Sequence, residues 1–214
     1  MAIEKVEEKV EQVLDIPQPG HPDPAHDTHS GVVNPKLGMW LFLSSDCLFF
    51  GAFISTFLLY RDRGGQAGPT PEDLFDIPFT SVTSFILLMS SLTMVLALSA
   101  IQRGELRRFQ IWIMATALFG ATFIGGQIFE FTEFTRQGLN LDTSLFGSSF
   151  YVLTGLHGAH VAIGIVWLVS LWGLAQQGRL QQEHSERVEV AGLYWHFVDV
   201  VWIVIFTVIY LIPK

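Results

Sequence analysis

LYWHFVDVVWIVIFTVIYLIP, residues Leu193–Pro213, decides what kind of chain this is. The run is apolar or weakly polar apart from His196 and Asp199, which stand one helical turn apart. About 20 such residues, rising 1.5 Å each, cross a hydrocarbon core of about 30 Å. An ionisable group inside such a run is expensive enough to need a reason. TGLHGAHVAIGIVWLV, Thr154–Val169, has the same character and carries His157 and His160. The chain is read as a membrane protein.

The rest of the chain agrees. Of 214 residues, 50% are hydrophobic and only 15% charged, too few to coat a water-facing surface, where about 25% is usual. Five windows qualify as spans, at about Leu37–Tyr60, Phe79–Ile101, Ile111–Phe134, Phe150–Ala175 and Leu193–Pro213. Their connections are short, so the expected fold is an all-α integral membrane protein, a bundle of five transmembrane helices over residues 35–214.

Residues 1–34 read differently. MAIEKVEEKVEQVLDI is charged throughout and lacks the apolar core of a cleavable signal peptide. Ile3, Val6, Val10 and Val13 recur at helical spacing, which predicts a short acidic amphipathic helix. Anionic lipid repels such a face, so it is expected to dock on a partner subunit. PQPGHPDPAHDTHSG, Pro17–Gly31, then reads as a proline- and histidine-bearing linker, although His21, His26 and His29 are metal-competent.

Several function classes drop out. The net charge of −8 offers no basic face for nucleic acid, and there is no glycine-rich phosphate loop. The single cysteine, Cys47, excludes an internal disulfide and thiolate metal centres built by this chain alone, and is expected to be a buried small residue.

Lys and Arg placement sets the expected orientation. With the N-terminus inside, the inner segments hold Lys5, Lys9, Lys36, Arg103, Arg107, Arg108, Arg179 and Arg187. The outer ones hold only Arg61, Arg63, Arg136 and Lys214. A cytoplasmic N-terminus and an outside C-terminus follow. Counting depth from that side predicts two buried polar layers. Asp46, His196 and Asp199 form the inner one; Gln127, Glu130, Glu133, His157 and His160 form the outer one.

Glu130/Glu133, His157/His160 and His196/Asp199 each share the i, i+3 spacing that puts both members on one helix face. A carboxylate there is protonated or paired, and its face points into the bundle or a partner. Interhelical hydrogen bonding is the plain role for such groups, worth about 0.6–2 kcal/mol each. A metal role is less well supported. His157, His160 and Glu130 make an incomplete ligand set, and the Glu-x-x-His repeat of di-iron bundles does not occur. Gly155/Ala159, Gly158/Ala162 and the group Gly120, Gly125 and Gly126 predict close helix approach. The 18 phenylalanines and six tryptophans suit lipid-facing and interfacial positions, with Trp195 expected to reach the headgroups.

The residues resemble subunit III of the haem–copper terminal oxidases. The resemblance lies in LSSDCLFFGAF (Leu43–Phe53), GPTPEDLFDIPF (Gly68–Phe79), GQIFEFTEF (Gly126–Phe134), LFGSSFYVLTGLHGAHVAIG (Leu145–Gly164) and LYWHFVDVVWIVIFTVIYL (Leu193–Leu211). The five-helix layout is similar to the short bacterial form. The resemblance implies a non-catalytic subunit of cytochrome c oxidase with no redox centre of its own, haem and copper being held by partner subunits. It implies packing on subunit I, with subunit II in the same complex, and a V-shaped cleft that holds structural phospholipid.

The family's first-helix carboxylate, usually Glu, falls on Asp46, which is therefore expected to be proton-linked. Its helix-3 glutamate falls on Glu130, its cleft histidines on His157 and His160, and its terminal motif on His196 and Asp199. Gln127, Glu133 and Trp195 complete the expected cleft or interhelical polar set. Trp195 and His196, with Arg103, Arg107 and Arg108 on the same side, are expected to hold a lipid phosphate. A quinol oxidase subunit III fits the same residues. A small proton channel or transporter would be expected to show broken helices or internal repeats, and neither is present.

Overall fold

The computed structural model describes residues 34–61, 76–138 and 145–211, without the side chains of Asn34, Arg61 and Phe146. The amphipathic helix and the Pro/His linker expected before residue 34 lie outside the described residues, as does most of GPTPEDLFDIPF. The chain divides into residues 1–37 and 38–214, and the packing below concerns the second unit.

Among the described residues the structure is helical and without strands, and five helices are long and apolar enough to cross a membrane. They are α1 (Asn34–Arg61), α2 (Ile77–Gln102), α3 (Leu106–Arg136), α4 (Leu145–Gln176) and α5 (Ser185–Phe206). One 3₁₀ turn, Gln182–His184, precedes α5, and a wider π turn, Thr207–Leu211, continues it. The helices overrun the hydropathy windows. α5 starts at Ser185 because the polar turn SERVEV keeps its helical hydrogen bonds after hydropathy has fallen away.

Local chemistry sets the ends. Asp76 caps α2 by accepting the backbone N–H of Phe79 at 3.1 Å, and Pro78 stands in the first turn where its missing N–H costs nothing. α2 passes to α3 through Arg103–Glu105. Gly104 takes φ +74°, and Glu105 N–H returns to Ala100 O at 2.9 Å, closing the helix end. So short a turn makes α2 and α3 an antiparallel hairpin. Gln182 Nε2 donates to Gln102 O at 2.7 Å, tying the α4–α5 connection to this turn on the same side of the bundle.

α2, α3, α4 and α5 pack in a closed square, each against two neighbours, with α2 and α3 sharing the longest contact. α1 stands outside it. Its buried residues are Leu43, Phe50 and Phe57, spaced by seven, a seam one residue wide. The core is aromatic at its centre, with Phe50, Phe109, Phe123, Phe134, Phe150, Trp195 and Trp202 all buried. Composition alone assigns such rings to lipid. Ile111, Leu118, Phe85, Ile163 and Val166 do face outward, as a bilayer solvent favours.

The glycines divide into two groups. A Cβ on Gly120 would lie 2.6 Å from Trp195, one on Gly164 2.8 Å from the same ring, and one on Gly126 2.8 Å from Thr83. Gly158 would press on the Gln127 side chain. Gly125 and Gly155 meet nothing.

Candidate functional site: buried polar contacts between the helices

The polar residues of the spans converge on α2 and α4. α2 is a continuous apolar run in hydropathy, yet it carries Thr80, Ser84, Ser90, Ser91 and Thr93, and each hydroxyl meets α3 or α5. Trp202 Nε1 donates to Ser84 Oγ at 2.8 Å, and Trp195 Nε1 donates to Ser90 Oγ at 2.9 Å. Thr93 and Thr116 join α2 to α3 at 2.8 Å. In a setting without water these bonds align the helices, each hydroxyl being cheap to bury only when partnered.

Ser91 is the junction for the α5 motif. Its Oγ donates to Asp199 Oδ2 and lies 2.9 Å from His196 Nδ1. A serine hydroxyl has one hydrogen. With that hydrogen on Asp199, the His196 ring is the donor in the second bond. Asp199 is 3% exposed, and its other carboxylate oxygen is buried without a hydrogen bond. The serine is not poised as a nucleophile, since the carboxylate holds its hydrogen and the imidazole is not its base.

Glu130 Oε1 on α3 accepts from Thr80 Oγ1 at 2.8 Å and from Tyr210 OH at 3.1 Å. One carboxylate thus joins α2, α3 and the π turn after α5. Gln127, a turn earlier, donates through Nε2 to Thr154 O of α4 at 2.7 Å, and the absence of a side chain at Gly158 makes room for it.

Asp46 and His160 join α1 to α4, with Oδ2 and Nε2 3.4 Å apart. His160 Nδ1 lies 2.8 Å from Leu156 O, Tyr194 OH donates to His160 O at 2.9 Å, and the Phe50 ring meets the imidazole edge-on at 5.1 Å. This contact crosses the two layers expected from sequence. Counting from Gly38 makes Asp46 shallow, but α1 begins at Asn34, so Asp46 lies about 18 Å along its helix. His160 is near the middle of α4, and the two meet there.

Four further expectations are corrected. Trp195 does not reach a headgroup; it is 1% exposed, with its ring between Gly120 and Gly164, so it cannot hold a lipid phosphate. Glu133 makes no interhelical bond: it is half-exposed beside Arg136 at 3.8 Å and Gln137 at 3.0 Å on its own helix. His157, fully buried, makes no hydrogen bond either and stacks on Trp202 at 4.8 Å. Cys47 is exposed, not buried.

Cys47 lines a groove of about 320 Å³ between α1 and α5, with Trp40, Leu43, Leu193, His196 and Phe197. Its walls are almost wholly apolar, with Ser44 and His196 as the polar residues among them. Among the described residues no three His, Cys, Asp or Glu side chains gather as a metal ligand set.

Sequence reasoning missed Thr80, Ser84, Ser90, Ser91, Tyr194 and Tyr210, the partners of the ionisable groups and tryptophans. The available signal was the spacing of Thr80, Ser84 and Ser91 by four and seven, which puts them on one face of α2.

The family model described as cytochrome c oxidase subunit III matches residues 23–213. Cytochrome c oxidase subunit 3 of Bacillus sp. (strain PS3) is 40% identical over 178 residues, covering 83% of this chain and 86% of that one. Probable quinol oxidase subunit 3 of Staphylococcus saprophyticus subsp. saprophyticus is 38% identical over 185 residues, covering 86% and 92%. The protein of the same description from Staphylococcus aureus (strain USA300) is 36% identical over the same shares.

Proposed function

The chain belongs to the cytochrome c oxidase subunit III family of the haem–copper oxidases, and we propose that it is the non-catalytic subunit III of a proton-pumping aerobic terminal oxidase. The observation that carries this reading is the extent of the family match, which takes in all five helices. As an oxidase subunit III it is a multi-pass membrane protein that partners other oxidase subunits.

Within that complex the chain packs directly on subunit I, beside subunit II, and stabilises the part that reduces oxygen. Haem and copper belong to those partners. The assembly resides in a bacterial plasma membrane and can join a respiratory supercomplex, with this chain's N-terminus cytoplasmic and its C-terminus outside. Lys and Arg placement supports that orientation. The α1–α5 groove, with its apolar walls, suits part of a phospholipid acyl chain, which supports a role in holding structural lipid. Asp46, set in the middle of α1, supports proton uptake by subunit I.

Cytochrome c is the proposed electron donor, as the name of the Bacillus relative suggests. Quinol is the second reading, favoured by the names of the staphylococcal relatives. A small proton channel or transporter is a more remote one. Affinity purification through a tag on this chain tests all three. The expected result is co-purification of a haem–copper subunit I and oxygen consumption with reduced cytochrome c. Oxygen consumption with quinol alone moves the assignment to a quinol oxidase. Recovery of the chain without any oxidase core discards the subunit reading.

A further inference from the structure

The His160 ring fixes the number of protons at the α1–α4 contact. Its Nδ1 lies 2.8 Å from Leu156 O. A carbonyl oxygen only accepts, so Nδ1 carries a hydrogen and donates it. In a neutral imidazole the other nitrogen, Nε2, is then a bare lone pair. That nitrogen lies 3.4 Å from Asp46 Oδ2, an oxygen buried with no hydrogen bond of its own. An ionised carboxylate against a lone pair would set two acceptors face to face where no water relieves them.

The contact therefore needs a proton. Either Asp46 is a carboxylic acid whose O–H points at Nε2, or His160 is an imidazolium whose Nε2–H points at the carboxylate. The two states differ only in which side of the contact holds the hydrogen, and both have zero net charge. Removing the proton leaves one negative charge in the middle of the hydrocarbon, and adding a second leaves one positive charge. Both are costly there.

The neighbouring titratable groups do not supply the missing charge. From α5, Tyr194 spends its hydroxyl hydrogen on His160 O. From α4, His157 lies one turn earlier, fully buried and stacked on Trp202. From α1, Cys47 follows Asp46 and turns to the groove. Among the described residues the ion-pair partner of Asp46 is His160.

We propose that Asp46 and His160 act as one unit that holds a single proton across the α1–α4 contact, His160 being the positioning residue that keeps the carboxyl from ionising alone. The unit rests on the subunit III reading for its bearing on proton uptake and deepens it.

Infrared spectroscopy of the purified oxidase complex tests this over the pH range in which the complex stays intact. Wild type should show one protonated group of the pair at constant intensity. That group is either a carboxylic acid band lost in Asp46→Asn or an imidazolium band lost in His160→Gln. The signature should also depend on the other residue. Asp46→Asn should abolish an imidazolium band, and His160→Gln should shift a carboxylic acid band. Asp46→Glu leaves α4 untouched and should move the same band, which keeps the test open if His160→Gln fails to assemble.

A carboxylate facing a neutral ring in wild type, a doubly protonated pair, or a signature indifferent to the other residue would overturn the proposal. Turnover stability of the same samples separates the two readings. A shared proton with wild-type turnover stability in Asp46→Asn removes the proton-uptake role and leaves the shared proton in place. Altered turnover stability without the infrared coupling removes the shared proton and leaves the role.

Discussion

Gly120 of α3 and Trp195 of α5 are in direct contact, so close that a Cβ on the glycine would lie 2.6 Å from the indole. Gly164 of α4 closes on the other part of the same ring, and Ser90 of α2 receives its N–H. One side chain thus touches all the other helices of the square.

Gly120→Ala and Gly164→Ala should each destabilise the protein by about 1–3 kcal/mol, because the ring is walled in and cannot retreat. Gly125→Ala and Gly155→Ala, which meet open space, should be neutral or slightly stabilising, alanine being the better helix former by up to about 1 kcal/mol. Thermal unfolding in detergent compares the four. Equal effects at all four positions would refute the close-packing account.

Ser91→Ala should cost about 1–3 kcal/mol, since it strips both Asp199 and His196 of their partner on α2. A double-mutant cycle with Asp199→Asn should show non-additivity of at least about 0.5 kcal/mol. Strict additivity would mean that the serine and the carboxylate do not interact.

Much of this was legible in the sequence and some was not, for a physical reason. Hydropathy finds a helix by its apolar residues, and in lipid those face outward, so all five spans stand out. Helical spacing likewise finds His196 and Asp199 on one face. It does not say which residue of another helix they meet. Ser91 is small and weakly polar, so its spacing from Thr80 and Ser84 marks a shared face of α2 but not which residues of α5 that face meets. Asp46 and His160 fall into different layers when depth is counted from the apolar run, because α1 starts a turn earlier than its hydropathy does. Trp195 looks interfacial by type, but the gap it fills is made by Gly120 and Gly164 on two other helices.

Glu130→Gln should be tolerated, within about 1 kcal/mol, because the amide oxygen can still accept from Thr80 and Tyr210. Glu130→Leu removes the acceptor that Thr80 and Tyr210 share, leaving Thr80 its bond to Asp76 O at 3.0 Å, and should cost about 1–3 kcal/mol. Thermal unfolding compares the two variants, and equal costs for Gln and Leu would mean that the acceptor at this position does not matter.

His157→Phe should be neutral or stabilising. The ring stacks on Trp202 and meets Phe123 edge-on, while its two nitrogens are buried without partners. His157→Ala, which opens a cavity beside Trp202, should cost about 3–5 kcal/mol on the scale of aromatic truncations. Oxygen-consumption rates of the Phe variant then separate packing from function. A stable complex with lost turnover would mean that the imidazole acts in the oxidase and not only in the fold.

The Asp46–His160 contact also bears on how the chain is made. α1 leaves the ribosome first and α4 much later, with two complete spans between them. Asp46 must therefore enter the bilayer before its partner has been synthesised, which favours entry as the neutral acid. α1 then waits in lipid, joined to the nascent chain only by its loop, until α4 and α5 arrive. Biogenesis ends with the first helix docking last, and truncation after α3 should leave α1 unattached and open to quality-control proteolysis.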